Sequence, residues 1–133
     1  MAAAVKYIRD RMKELYVYDL YGLRGEVKIL GRIVDPWETI NCFATGVMDG
    51  LRRMLAITVS RVIIIGSHPG SSPDLLIIPR KDIVSHSSTK RFFTSSIEFS
   101  ASNGAHYELV NVSGRVLELF NWALDRPFPD EED

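Results

Sequence analysis

Cysteine and glutamine are the scarcest residues here: the 133-residue chain has one cysteine, Cys42, and no glutamine. A single cysteine excludes an internal disulfide framework and is typical of a reducing compartment. The absence of glutamine is typical of proteins from thermophiles, in which thermolabile amides are depleted. The sequence carries no motif that would hold a cofactor, so none is expected.

Long apolar runs are also missing. The longest uncharged stretch, residues 62–73, contains two glycines and two prolines and is shorter than the ~18 apolar residues of a spanning helix. Lys6 and Arg9 stand where a signal peptide needs an uninterrupted apolar segment. The net charge of −1 gives no overall attraction to nucleic acid or an anionic membrane. These absences predict a soluble cytoplasmic protein with one self-sufficient core.

Apolar residues recur at helical spacing near both ends of the chain. Val5, Ile8, Met12 and Leu15 form one stripe and predict a helix over residues 3–16. A second wide apolar face, centred on Phe120, predicts a closing helix that ends near Asp125, before Pro127. Between them, Gly25, Gly31 and Pro36 leave open either a short strand or a second helical segment.

The middle of the chain alternates like a sheet. "ETINCFAT" places Ile40, Cys42 and Ala44 on one face of a strand. The stretch "LAITVSRVIIIGSH" is too long for one strand, so it predicts two strands that meet in a turn at Val59-Ser60. The apolar character of "VIIIG" on both faces indicates a strand that is covered on both sides or belongs to a small closed barrel.

The clearest hairpin lies in "SSIEFSASNGAHYELVNV". A two-residue turn at Asn103-Gly104 would pair Phe99 with Glu108 and mix core and solvent faces. A three-residue loop, residues 102–104, instead pairs Phe99 with Tyr107 and Ile97 with Leu109. We therefore predict the three-residue loop, with Gly104 in a left-handed conformation.

From residue 36 to 124 the order of these segments resembles a bacterial or archaeal pleckstrin-homology (PH)-like domain of the YokE or GRAM kind. The residues that carry the resemblance are Pro36, Glu38, Thr58, Arg61, Ile78, Pro79, Ile83, Gly104 and Tyr107. It implies a mainly β (α+β) fold: a small antiparallel barrel of about seven strands, closed by a C-terminal helix. It also implies that Arg61 lies along the barrel wall or pairs with a carboxylate.

Outside the resemblance lies an extra N-terminal helix. We accordingly predict three parts: a helical extension at 1–25, a PH-like domain at 26–125 and an acidic tail at 126–133. The resemblance implies no shared catalytic residue; modules of this kind act as adaptors, membrane-proximal domains or oligomer-forming units.

Catalytic and metal-site chemistry has little support. His68, His86 and His106 lack the spacing of a metal site, so we predict surface histidines and no bound metal. Cys42 paired with a histidine would resemble a small hydrolase, but its place on an apolar strand face favours an inert buried thiol.

Positive charge is concentrated between residues 52 and 91, which hold seven basic and two acidic residues. A phosphorylated ligand, lipid head group or nucleic acid is the alternative function, with Arg52, Arg53, Lys90 and Arg91 as candidate ligand-binding residues. In "SHSSTKRFFTSS" the phenylalanines could stack on a single nucleic-acid strand; the more ordinary interpretation is a strand pair with a basic turn and phenylalanines in the core. The favoured interpretation of the protein is a non-enzymatic module that binds a protein partner or itself. A homo-oligomer is expected, with the stripe of Val5, Ile8, Met12 and Leu15 as its interface unless that helix packs on its own sheet.

Overall fold

The computed structural model describes residues 2–14, 24–35, 38–66, 74–92 and 94–126. Within these ranges the helices are α1 (Ala2–Glu14), α2 (Arg24–Ile33) and α3 (Val116–Asp125). The strands are β1 (Ile40–Met48), β2 (Leu51–Thr58), β3 (Arg61–Gly66), β4 (Asp74–Pro79), β5 (Ile83–Lys90), β6 (Ser95–Ala101) and β7 (His106–Val112). A 3₁₀ turn at Arg80–Asp82 joins β4 to β5.

The strands form one antiparallel sheet in the order β4-β3-β2-β1-β7-β6-β5. Its two halves, β1–β4 and β5–β7, meet at one residue pair, Val47 with Val110. Gly46 lies beside this junction, where a Cβ atom would collide with the carbonyl oxygen of Val110. Glycine therefore lets β7 cross β1 closely, and residues of both halves share one core with α3.

The sheet is not closed. Seven antiparallel strands, a C-terminal helix and an N-terminal helix confirm the predicted PH-like fold class, but the prediction of a closed barrel is wrong. In the part of the chain that the structure describes, β4 and β5 are the two edges and do not pair with each other. The short Arg80–Asp82 turn carries the chain from one edge to the other, and α3 fills the interior with a fully buried Phe120.

A second core explains the doubly apolar sequence of β3. Ile8 and Met12 of α1 and Val27 and Leu30 of α2 cover the other face of the sheet. There they contact side chains of the first three strands: Ile40, Phe43, Met54, Ala56, Ile63 and Ile65. Strand β3 is thus buried on both faces. The segment around Gly25 and Gly31, for which the sequence allowed either a strand or a helix, is helix α2.

Two details of the predicted hairpins hold and one fails. Strand β2 ends at Thr58 and β3 begins at Arg61, so the turn lies at Val59-Ser60 as predicted. Phe99 pairs with Tyr107 and Ile97 with Leu109, and Gly104 has φ of +89°, which confirms the three-residue loop. The shared face of Ile40, Cys42 and Ala44 is wrong, because an irregularity between Ile40 and Cys42 moves Ile40 into the second core.

Candidate functional site

The Val59-Ser60 turn is bound to a buried carboxylate. Arg61 donates from Nε to Oε2 of Glu38 at 2.8 Å and from Nη2 to Oε1 at 2.7 Å, a two-point contact. Thr58 donates its hydroxyl to Oε2 at 2.6 Å, and Nη2 of Arg61 also donates to the carbonyl oxygen of Ile33 at 2.8 Å. Arg61 therefore pairs with a carboxylate, one of the two positions that the resemblance implied for it.

This network ties α2 to the β2–β3 turn. Burial alone would raise the pKa of Glu38, but the hydrogen bonds from Arg61 and Thr58 outweigh it and lower the pKa from 4.5 to about 2. The carboxylate is nearly inaccessible, and its two oxygens accept from five donors in total. A saturated, buried ion pair of this kind holds structure and leaves no position for a substrate.

The four predicted ligand-binding residues lie at the same end of the sheet, but as two adjacent pairs that are far apart. Arg52 and Arg53 belong to β2, whereas Lys90 ends β5 and Arg91 follows it. Arg52 lies on β2 and Lys90 on β5, with β1, β7 and β6 between them, so that four strand spacings separate them by roughly 19 Å along the sheet. Arg53 is held by Asp74, with Nη1 and Oδ2 2.6 Å apart. Arg91 lines a pocket of about 240 Å³ that also contains the carboxylate of Glu108. A single site formed by all four stays a prediction.

The basic turn between β5 and β6 differs from its ordinary interpretation. Phe92 is 93% exposed, so the expectation that it lies in the core is wrong; Phe93 lies outside the described residues. Lys90 pairs with Ser95 across this turn, and Phe92 lies exposed within it.

Strand β4 is a candidate binding edge. Among the residues with described positions it pairs with β3 and with no other strand. Leu75 and Ile77 lie opposite Ile65 and Ile63, and are 48% and 40% exposed although their partners are buried. Apart from Asp74 at its start, the strand "DLLIIP" has no charged residue. Edge strands are commonly protected by charges or bulges, so this one is unusually open to pairing.

A second candidate is a basic pocket at the open corner of the sheet. It has a volume of about 270 Å³ and lies where the Arg80–Asp82 turn, the start of β5 and the end of α3 meet. Three permanent cations line it: Arg80, Lys81 and Arg126. Sequence reasoning counted Arg80 and Lys81 only in the total for the basic segment and placed Arg126 in the acidic tail. No sequence pattern links these three cations, because only the fold brings residue 126 next to residue 80.

Of the groups considered for catalysis, those with described positions are buried or engaged with other residues. Burial raises the pKa of the Cys42 thiol to about 12, so it stays protonated. His86 contacts Asp125 at 3.0 Å, and His106 contacts Glu98 at 3.1 Å; His68 lies outside the described residues. Among residues with a described position, no group of three or more His, Cys, Asp or Glu side chains is arranged to hold a metal ion.

The solved structures that are similar to the chain include two bacterial proteins with a pleckstrin homology domain. A pleckstrin homology domain from Shewanella amazonensis SB2B is 22% identical, with a TM-score of 0.47, over 75% of this chain and 90% of that one. A DUF1696 family protein with a pleckstrin-homology domain from Shewanella loihica PV-4 is also 22% identical, with a TM-score of 0.42, over 71% and 81%. No family model matches the sequence, and neither does any curated protein. At these values we transfer no ligand, partner or residue role, and the YokE or GRAM assignment stays a prediction.

The apolar stripe of α1 is already covered within the chain. Ile8 and Met12 are 1% and 0% exposed because they pack on α2 and the sheet. The side chains of Val5 and Leu15 lie outside the described part. The alternative of packing on its own sheet thus accounts for the two described members, and the interpretation of the stripe as an oligomer interface stays a prediction. None of the described helices is long and apolar enough to cross a membrane.

Proposed function

We propose that the chain is a non-enzymatic interaction module that associates with a second copy of itself along β4. The observation that carries the proposal is the free edge of this strand, with Leu75 and Ile77 exposed on its outer face. A strand edge offers unpaired N–H and C=O groups, and a second strand satisfies them by extending the sheet.

A second copy suits this edge better than an unrelated strand because the edge is self-complementary. Two antiparallel β4 strands related by a two-fold axis place outer-face residues opposite one another. With Ile77 opposite its own copy, Leu75 lies opposite Pro79. The apolar residues Leu75, Ile77 and Pro79 of the two copies then form one continuous strip.

The expected association is weak and depends on concentration. Each copy contributes two half-exposed apolar side chains and one six-residue edge, which falls short of the ~1,200 Å² typical of stable interfaces. The raised pKa and full burial of Cys42 support a non-enzymatic module. Its single reduced thiol also fits the cytoplasm, which stays part of the proposal.

Sedimentation velocity of the full chain, from low micromolar to near-millimolar concentration, tests the proposal. We expect mass to rise toward a dimer, and Ile77→Lys to abolish the rise by placing two ammonium groups face to face. Val84→Lys is the matched control: Val84 is 63% exposed on the opposite edge, β5, and this variant should dimerise normally.

A cross-linking variant tests the register. Ile77→Cys adds one exposed thiol to a chain whose own cysteine is buried, and oxidation should give a disulfide-linked dimer because directly opposed residues lie within disulfide reach. A wild-type chain that stays monomeric at the highest concentration overturns the proposal. So does a Val84→Lys variant that loses the dimer along with Ile77→Lys.

A further inference from the structure

We propose that the pocket at the open corner of the sheet binds a phosphate monoester that carries an apolar group. The site is formed by Arg80 and Lys81 of the 3₁₀ turn, Val84 of β5, and Leu124 and Arg126 at the end of α3. It shares no outer-face residue with the proposed β4 contact, and it does not depend on that contact.

The charges that line the pocket favour a dianion. Arg80, Lys81 and Arg126 carry three permanent positive charges around about 270 Å³. None of the described residues that line the pocket is acidic, and Asp125 at the end of α3 is engaged with Nε2 of His86 at 3.0 Å. A phosphate monoester carries nearly two negative charges at neutral pH and three acceptor oxygens, which suits a ring of guanidinium and ammonium donors. The pocket lined by Arg91 is less suitable, because Glu108 would repel the same ligand.

Two of the cations are held in place before any ligand arrives. Arg80 is 8% exposed, and its Nη1 lies 3.4 Å from the carbonyl oxygen of Val59. The guanidinium of Arg126 lies over the indole ring of Trp122, 4.7 Å from its centroid. Preorganised donors lose less conformational entropy on binding than mobile surface side chains. The carbonyl end of α3 opposes an anion here, so the three side chains must supply the attraction.

The apolar residues that line the pocket indicate that the ligand also carries an apolar group. Val84 is 63% exposed although it is a large aliphatic residue, and Leu124 lies on the helix side of the same pocket. An apolar substituent next to the phosphate would cover both. We therefore expect an aryl or alkyl phosphate to bind more tightly than inorganic phosphate.

NMR titration of the full ¹⁵N-labelled chain tests the site, with phenyl phosphate, inorganic phosphate and sulfate as probes at constant ionic strength. The full chain retains the acidic residues 130–133, so the measured affinity includes any competition between them and the ligand for the basic pocket. We expect saturable shifts at residues 80–86 and 124–126, tightest for phenyl phosphate. Lys81→Gln and Arg126→Gln should each weaken binding by about tenfold, the effect of losing one charge-assisted hydrogen bond.

Matched controls separate a specific site from general electrostatic attraction. Lys90→Gln removes the same charge outside the pocket and should leave the affinity unchanged, while Val84→Ser should remove only the preference for phenyl phosphate.

Vesicles identify the source of the phosphate. Phosphatidylcholine vesicles that contain phosphatidic acid are compared with vesicles that contain phosphatidylserine at equal charge. If the protein sediments with the phosphatidic acid vesicles but not with the phosphatidylserine vesicles, and Lys81→Gln abolishes this sedimentation, the ligand is a lipid head group. If the protein binds phenyl phosphate but neither kind of vesicle, the ligand is a soluble ester. The proposal is overturned if the chemical shifts do not saturate, if sulfate binds as tightly as phenyl phosphate, or if Lys90→Gln weakens binding as much as Lys81→Gln does.

Discussion

Replacing Glu38 by glutamine should make the stability of the protein much less sensitive to acid. The folded-state pKa of this carboxylate is about 2 against an ordinary value of 4.5. At about 1.4 kcal/mol per pKa unit, that difference corresponds to about 3 kcal/mol of stability at neutral pH. Losing one partner of a nearly buried ion pair has a cost of the same size, about 3–5 kcal/mol.

The sign of the pH effect follows from the lowered pKa. Because the folded state holds the ionised carboxylate more strongly than the unfolded state does, the stabilisation is complete above the unfolded pKa of about 4.5. It is lost as the pH falls toward 2, where Glu38 becomes protonated in the folded protein as well. Wild type and Glu38→Gln should therefore differ most at pH 7 and converge near pH 2.

Urea unfolding followed by circular dichroism, at several pH values between 7 and 2, measures this difference. Other carboxylates titrate in the same range, so the informative quantity is wild type minus variant at each pH. Glu118→Gln, which removes an exposed carboxylate from α3, is the control and should follow wild type closely. A wild-type-minus-variant difference that stays constant down to pH 2 would refute the lowered pKa.

Three further substitutions test the fold. Phe120→Ala should lower the free energy of unfolding by about 3–5 kcal/mol, because Phe120 is a fully buried residue of α3; a loss below ~1 kcal/mol would show that the helix does not fill the interior. Gly104→Ala should cost about 1 kcal/mol, because the cost comes from φ of +89° alone and a Cβ there would contact nothing within 4 Å; a neutral result contradicts the left-handed loop. Gly46→Ala should cost at least ~2 kcal/mol, because the added methyl would meet the backbone of Val110 as well as nearby side chains, and unchanged thermal unfolding would contradict the close crossing of β1 and β7.

Local patterns predicted the features that depend on neighbours in sequence. The turn at Val59-Ser60 follows from the length of the apolar run, and the pairing of Phe99 with Tyr107 follows from keeping one face of a hairpin apolar. The end of α3 at Asp125 follows from the proline two residues later. In each case the deciding interaction lies within about a dozen residues.

Features that depend on distant parts of the chain were not predictable in this way. The sequence of α2 does not decide between strand and helix, because Gly25, Gly31 and Pro36 resemble loop signals. Packing of Val27 and Leu30 on the sheet overrides the weak helix propensity of the two glycines. The open edge between β4 and β5 depends on how strands far apart in sequence are ordered in the sheet. The basic pocket depends on the same geometry, since it brings Arg126 to Arg80 across the whole fold.

The single ladder pair between β1 and β7 also has a consequence for the order of folding. Every other strand pair joins neighbours along the chain, so each can form as a local hairpin in microseconds. Joining Val47 to Val110 closes a loop of about 60 residues and therefore costs more chain entropy than closing any of the local hairpins. We therefore expect two independent meanders, β1–β4 and β5–β7, to form early, and the β1–β7 crossing, with α3 packed across it, to be the late, rate-limiting event.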